Sequence, residues 1–185
     1  AAVKLFATIF TKSYTHFPDL YEIYARMLND SSWKVRAKTL EGILHFITKD
    51  KEPPDHYITL FSDNLFKLFH DSDEEIRGLA TEVFKRLAYH MPPSEINDHL
   101  LLLLNDKDWE IREKAIWIIG EIGHIAFSHH LSLFSRLIEL FADEIMIIQT
   151  KTIDAFVKIG KEKGTELFNF FLPQIRKLSE GEKSQ

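Results

Sequence analysis

The 185 residues suffice for one ordinary domain or one stack of small repeats, and a composition of 45% hydrophobic and 28% charged residues predicts a folded chain. A formal net charge of -5 gives no overall basic surface, so a nucleic-acid partner is not favoured. The chain has no cysteine, which excludes disulfides and thiolate metal sites, and its longest apolar run, Leu100 to Leu104, is far shorter than the roughly 20 residues of a membrane span.

The first predicted elements are a partial repeat over residues 1–16 and a pair of helices over residues 17–49. In the pair, the second helix follows Asp30 and has apolar or small residues at offsets of four, seven, eight and eleven from Val35. These offsets lie on one face of an α-helix, so the segment is predicted to be amphipathic with one buried stripe. The stripe is Thr39, Gly42, Ile43 and Phe46.

The same arrangement returns over residues 53–91, 92–127 and 128–162. Each copy has an apolar helical segment, then an Asp, an aliphatic residue five positions later and, in three of the four copies, an Arg. The copies are Asp30…Val35-Arg36, Asp71…Ile76-Arg77, Asp106…Ile111-Arg112 and Asp143…Ile148-Gln149. Each copy is therefore predicted to be a helical hairpin, and prolines at positions 18, 53–54 and 92–93 mark the junctions between hairpins. A terminal helix is predicted over residues 163–180, followed by a tail at 181–185.

This signature, which ends one helix and opens the next at a period of about 40 residues, resembles the HEAT repeat family. The resemblance covers residues 17–162. It implies an all-α, right-handed superhelix, or α-solenoid: one domain over residues 1–185, with four full hairpins flanked by half repeats and about ten helices. The first helices would form the outer face and the second helices the inner one.

The resemblance also implies that signature residues of stacked repeats pair along the solenoid. A structural role is therefore expected for Asp30, Arg36, Asp71, Arg77, Asp106 and Arg112, in preference to a catalytic or phosphate-binding one. The fourth copy has Gln149 in place of Arg, and Ile145 and Met146 in place of polar residues. We expect this junction to be weaker or specialised.

Metal binding and catalysis find little support in the sequence. His124, His129 and His130 form a cluster, but their spacing does not place all three on one helix face. No His is followed by Glu, the pair on which HEAT-like hydroxylases carry iron, and no phosphate-binding loop or nucleophile elbow occurs. We expect no catalytic residue, no metal and no cofactor.

The candidate binding surface is the exposed phase of the second helices, at offsets of three, six and ten from the aliphatic residue. Its candidate partner-binding residues are Lys38, Glu41, Leu79, Glu82, Arg86, Lys114, Trp117, Glu121, Lys151 and Asp154. Balanced charge suits a protein partner better than a phosphate backbone. Leu79 and Trp117 stand where their counterparts are charged, and Trp is enriched among interface hot spots; the alternative is that Trp117 packs on a neighbouring helix.

The sequence thus predicts a non-catalytic scaffold or adaptor that binds a protein partner on the concave face of the solenoid, in a cytoplasmic setting with a nuclear one left open. Two alternatives stay open. One is a nucleic-acid-binding HEAT-like module or DNA glycosylase. The other is a HEAT-like lyase or a subunit of an enzyme complex. Partner identity and oligomeric state do not follow from the sequence.

Overall fold

The computed structural model describes residues 19–49, 55–126 and 131–181. These ranges contain eight α-helices, a 3-10 turn at Leu140–Ala142 and no strand. The helices are α1 (Asp19–Met27), α2 (Trp33–Lys49), α3 (Asp55–Leu68), α4 (Glu74–Leu87), α5 (Pro93–Leu104), α6 (Trp109–Ala126), α7 (Leu131–Glu139) and α8 (Met146–Gly181). The chain divides into two compact units, residues 1–92 (unit 1) and 93–185 (unit 2).

Both units are built from helical hairpins. In unit 1, α1 pairs with α2 and α3 with α4, while the first helices α1 and α3 also pack on each other, as do the second helices α2 and α4. In unit 2, α5 pairs with α6 and α7 with α8, and again α5 contacts α7 while α6 contacts α8. Stacking of first helices on first helices and second helices on second helices confirms the predicted all-α, HEAT-like fold class.

The repeated stripe forms the core. In α4 the stripe positions Ala80, Val83, Phe84 and Leu87 are fully buried, and the Phe84 ring packs edge to face on Phe69, which directly follows α3, at 5.8 Å between centroids. The equivalent residues of α6, which are Ala115, Ile118, Ile119 and Ile122, are also fully buried. Each large side chain buried in this way contributes about 1.5–3 kcal/mol.

The signature Arg and Asp close each turn in the same way. In each of three copies, Arg Nη1 donates to the carbonyl oxygen of the Asp six residues earlier, at 2.8 Å for Arg36 and 2.9 Å for Arg77 and Arg112. The Asp carboxylate accepts the backbone N–H two residues ahead, at Ser32, Asp73, Asp108 and Ile145. The signature thus fixes the direction in which each second helix leaves its turn.

Within each unit the Arg also reaches the Asp of the next copy. Arg36 Nη2 donates to Asp71 Oδ1 at 2.8 Å, and Arg112 donates to both Asp143 oxygens, at 3.1 Å from Nε and 3.0 Å from Nη2. In the fourth copy, Gln149 makes the contact within its own turn, because its Nε2 donates to the Asp143 carbonyl at 2.8 Å. Its neutral side chain closes the turn but offers no cation to a following Asp.

The described residues contain eight helices, whereas about ten were expected over the whole chain. The terminal helix predicted over 163–180 is not separate, because α8 is one 36-residue helix with Pro173 inside it. In a helix interior a glycine costs about 1 kcal/mol and a proline about 3 kcal/mol, yet α8 continues through both Gly164 and Pro173. The expected partial repeat at 1–16 lies outside the described residues, as do positions 182–185 of the predicted tail.

Candidate protein-binding surface

In unit 1, the predicted surface residues form ion pairs along single helices. On α2, exposed Lys38 lies 2.6 Å from both carboxylate oxygens of Glu41. On α4, half-buried Glu82 accepts from Arg86 at 3.1 Å and lies 2.8 Å from Lys85 Nζ. Burial raises the pKa of Glu82, but the hydrogen bonds from Lys85 and Arg86 outweigh it and lower the pKa overall. Leu79 lies on the same helix and is half-buried.

In unit 2, the predicted residues come from two helices joined by ion pairs. Lys151 of α8 lies 3.5 Å from Glu113 of α6, and Lys158 of α8 is paired with Glu121 of α6. Trp117 lies one helical turn from Glu113 and one turn from Glu121, and 40% of it is exposed. We call this region, together with Lys114 and Asp154, the Trp117 surface.

A close approach of α6 and α8 positions these side chains. A Cβ placed on Gly120 of α6 would lie 3.4 Å from the Cα of Ala155 in α8 and 3.5 Å from its Cβ. Ala155 is buried, and the two small residues let the helix backbones come near each other. The lysines of α8 therefore pair with carboxylates of α6 that lie one helical turn before and one turn after Trp117.

Sequence reasoning selected Lys114, Trp117, Glu121, Lys151 and Asp154 of this surface but left out Glu113. Glu113 lies at offset two from Ile111, next to the chosen phase, and its role emerges only from the rotation of α6 against α8. The available signal was the matched spacing of the partners: Glu113 and Glu121 are eight residues apart, and Lys151 and Lys158 are seven apart.

Three cations and three carboxylates share the Trp117 surface, and two of the cations lie in ion pairs with acids. Such pairs neutralise the local field, so the surface offers little attraction to a polyanion. An exposed indole framed by fixed charges suits a protein partner instead, since burial of the ring supplies affinity and the charges fix orientation.

Among the described residues, no three His, Cys, Asp or Glu side chains are grouped as metal ligands would be. Of the predicted His cluster, His129, His130 and the side chain of His124 lie outside the described part of the chain. In that same part, no helix combines the length and apolar character needed to cross a bilayer.

A family model described as sister chromatid cohesion protein PDS5 matches residues 1–182. The chain belongs to the PDS5 family. A comparison with curated proteins finds no match to this PDS5-family chain.

Solved structures with the same fold include TOG-type domains. The MAST/Orbit N-terminal domain aligns with a TM-score of 0.70 at 19% identity, covering 95% of this PDS5-family chain and 80% of that one. A structure from work on TOG–tubulin binding specificity in microtubule dynamics and mitotic spindle formation has a TM-score of 0.69 at 13% identity, covering 90% and 72%. A TOG domain array of microtubule polymerases has a TM-score of 0.66 at 18% identity, covering 100% and 43%. At these identities the likeness concerns the fold, and it confirms the HEAT-like resemblance.

Proposed function

We propose that this chain is a protein-binding module that acts in sister chromatid cohesion, as the name of its family indicates. Its role is to hold a protein partner rather than to catalyse a reaction. A task at sister chromatids also favours the nuclear setting over the cytoplasmic one.

We place the docking site on the Trp117 surface. The observation that carries this proposal is an exposed tryptophan held between two ion pairs that join α6 to α8. Tryptophan is enriched among the few residues that dominate interface energies, and hot spots cluster on rigid, well-packed surfaces. Because α6 and α8 are held together here, little conformational entropy is lost when a partner binds.

The charges of the Trp117 surface support a protein rather than a nucleic acid as the partner. Lys151 and Lys158 already interact with carboxylates, so few phosphate contacts are available to release counterions. A binding titration with a labelled DNA duplex over a range of salt concentrations tests this choice. Saturable binding with a steep salt dependence would favour the nucleic-acid module instead.

Affinity capture from nuclear extract tests the site, with wild-type chain, Trp117→Ala and Trp33→Ala compared side by side. Trp33 is a matched control, because it is a tryptophan of similar exposure, 44%, at the start of α2 in unit 1. We expect Trp117→Ala to reduce recovery of the main bound protein at least tenfold, which corresponds to about 1.4 kcal/mol, while Trp33→Ala leaves it unchanged.

A photo-crosslinking residue at position 117 provides a second readout and should attach to the same bound protein. The proposal fails if Trp117→Ala lowers recovery less than about threefold while its circular dichroism stays that of wild type. It also fails if position 33 crosslinks to that protein as strongly as position 117.

A further inference from the structure

Two charged side chains of the Trp117 surface are free in the part of the chain that the structure describes. They are Lys114, which is half-buried on α6, and Asp154, which is exposed on α8. Neither forms an ion pair or a hydrogen bond there. The other charges of this surface are held in the pairs between the two helices, Glu113 with Lys151 and Glu121 with Lys158. Lys114 and Asp154 are therefore the charges that a bound partner can neutralise.

The helical phase places these two charges on opposite margins of the surface. On α6, Gly120 faces α8, while Trp117 lies about 60° and Lys114 about 120° around the helix from it. On α8, Ala155 faces α6, and Asp154 lies about 100° around the helix from it. Trp117 is thus flanked by a free cation on the α6 side and by a free anion on the α8 side.

The two ion pairs show that both margins face the same way. Because Glu113 pairs with Lys151 and Glu121 with Lys158, α6 and α8 run in the same direction and turn these faces to one side. Packed helices lie about 8–10 Å apart and each is about 10–12 Å across, so the margins are about 15–20 Å apart. An extended chain, which rises roughly 3.3 Å per residue, covers this distance with about five residues.

We infer that the Trp117 surface binds an extended segment of its partner that crosses from α6 to α8 and has an acidic residue at Lys114, an apolar residue on Trp117 and a basic residue at Asp154. The inference rests on the docking site proposed above and specifies the ligand of that site. Complementary charges fix the register of such a segment, while burial of the indole supplies affinity. A segment with the same charge at both ends meets a like charge at one margin, which is unfavourable.

A random-peptide phage library selected on the full chain, after removal of phage that bind Trp117→Ala, tests this charge pattern. On wild type we expect peptides with an acidic and a basic residue on opposite sides of an apolar one. On Lys114→Glu both flanking residues should be basic, and on Asp154→Lys both should be acidic, because each variant gives the two margins the same charge. The two variants lie on different helices, so a folding defect in one does not leave the test undecided.

A peptide selected on wild type then shows which charge meets which residue by fluorescence anisotropy. Lys114→Gln and Asp154→Asn should each weaken its binding about two- to fivefold. When the acidic residue of the peptide is replaced by glutamine, the effect of Lys114→Gln should vanish and that of Asp154→Asn should remain. Lys107→Gln and Asp98→Asn are the controls, since both positions are exposed in unit 2 away from this surface, and they should bind as wild type does.

The possible outcomes separate this inference from the docking site itself. Peptides that depend on Trp117 but lack the flanking charges, or that are the same on wild type, Lys114→Glu and Asp154→Lys, would overturn the inference and leave the docking site in place. If no peptide distinguished wild type from Trp117→Ala, the docking site would fail and the inference with it.

Discussion

Replacement of Arg112 by Gln isolates the contact between the third and fourth copies, because the fold already contains this residue at the equivalent position. Gln149 shows that a glutamine there keeps the bond to the carbonyl of its own Asp. Arg112→Gln should therefore retain the closed turn at Asp106 and lose both charged hydrogen bonds to Asp143. The side chains of Arg112 and Asp143 are each only 7% exposed, so the carboxylate is left buried without its cation.

Removal of one partner from a buried ion pair costs about 3–5 kcal/mol, and we expect the lower end, about 3 kcal/mol, because Asp143 keeps the Ile145 N–H. For a chain of this size the loss corresponds to a fall in Tm of about 6–12 °C. Equilibrium urea unfolding followed by circular dichroism measures the free energy of unfolding.

The double variant Arg112→Gln with Asp143→Asn removes the stranded charge and should be about 1–2 kcal/mol more stable than Arg112→Gln alone. Lys38→Gln breaks the exposed Lys38–Glu41 pair and serves as the control, with an expected loss under about 0.5 kcal/mol. If Arg112→Gln cost no more than Lys38→Gln, or if Asp143→Asn gave no recovery, the buried pair would not hold these copies together.

Three further measurements probe the repeats themselves. Gly78→Ala should raise the free energy of unfolding by about 0.5–1 kcal/mol, because nothing lies within 4 Å of the added Cβ. Gly42→Ala should lower it by about 1–2 kcal/mol, because its Cβ would lie 3.0 Å from the Tyr24 ring. Thermal denaturation of both variants tests whether the two changes have opposite signs. Burial raises the pKa of Tyr24 from 10.0 to about 12. The stability that the neutral Tyr24 hydroxyl contributes is therefore intact below pH 10 and is lost between pH 10 and 12, at about 1.4 kcal/mol per pH unit. Tyr24→Phe should flatten this fall in the free energy of unfolding, which urea unfolding at alkaline pH measures. Hydrogen exchange should be faster over Asp143–Gln149 than over Asp106–Arg112. Ile145 has no side-chain oxygen to cap α8, whereas its counterpart Asp108 accepts the Glu110 N–H of α6 at 2.9 Å. Equal exchange rates would contradict this explanation.

The helical hairpins could be predicted because each second helix carries its own complete signal. An Asp closes the turn, an Arg or, in the fourth copy, Gln149 donates to the Asp carbonyl, and four offsets place the stripe, all within about 17 consecutive residues. The continuity of α8 could not be predicted, because the effect of Gly164 and Pro173 depends on whether the surrounding helix outweighs a local penalty. The fold class thus follows from local chemistry, while the continuity of α8 does not.

The candidate site also has one part that the sequence predicts and one part that depends on how two helices pack. Trp117 could be selected from the phase of a single helix, but the pairing of Glu113 with Lys151 depends on how α6 is rotated against α8, which the Gly120–Ala155 contact sets. A pattern within one helix specifies which residues share a face. It does not specify which residue of another helix that face meets.

The comparison of Ile116 with Ile153 carries this reasoning furthest. Both are isoleucines at the same offset in neighbouring copies, yet Ile116 is buried against the core and Ile153 is half exposed. Nothing within either helix distinguishes them, because burial at this position depends on which other helix packs against it. A sequence pattern within one repeat therefore specifies the hairpin, but it does not specify which of its apolar residues are exposed.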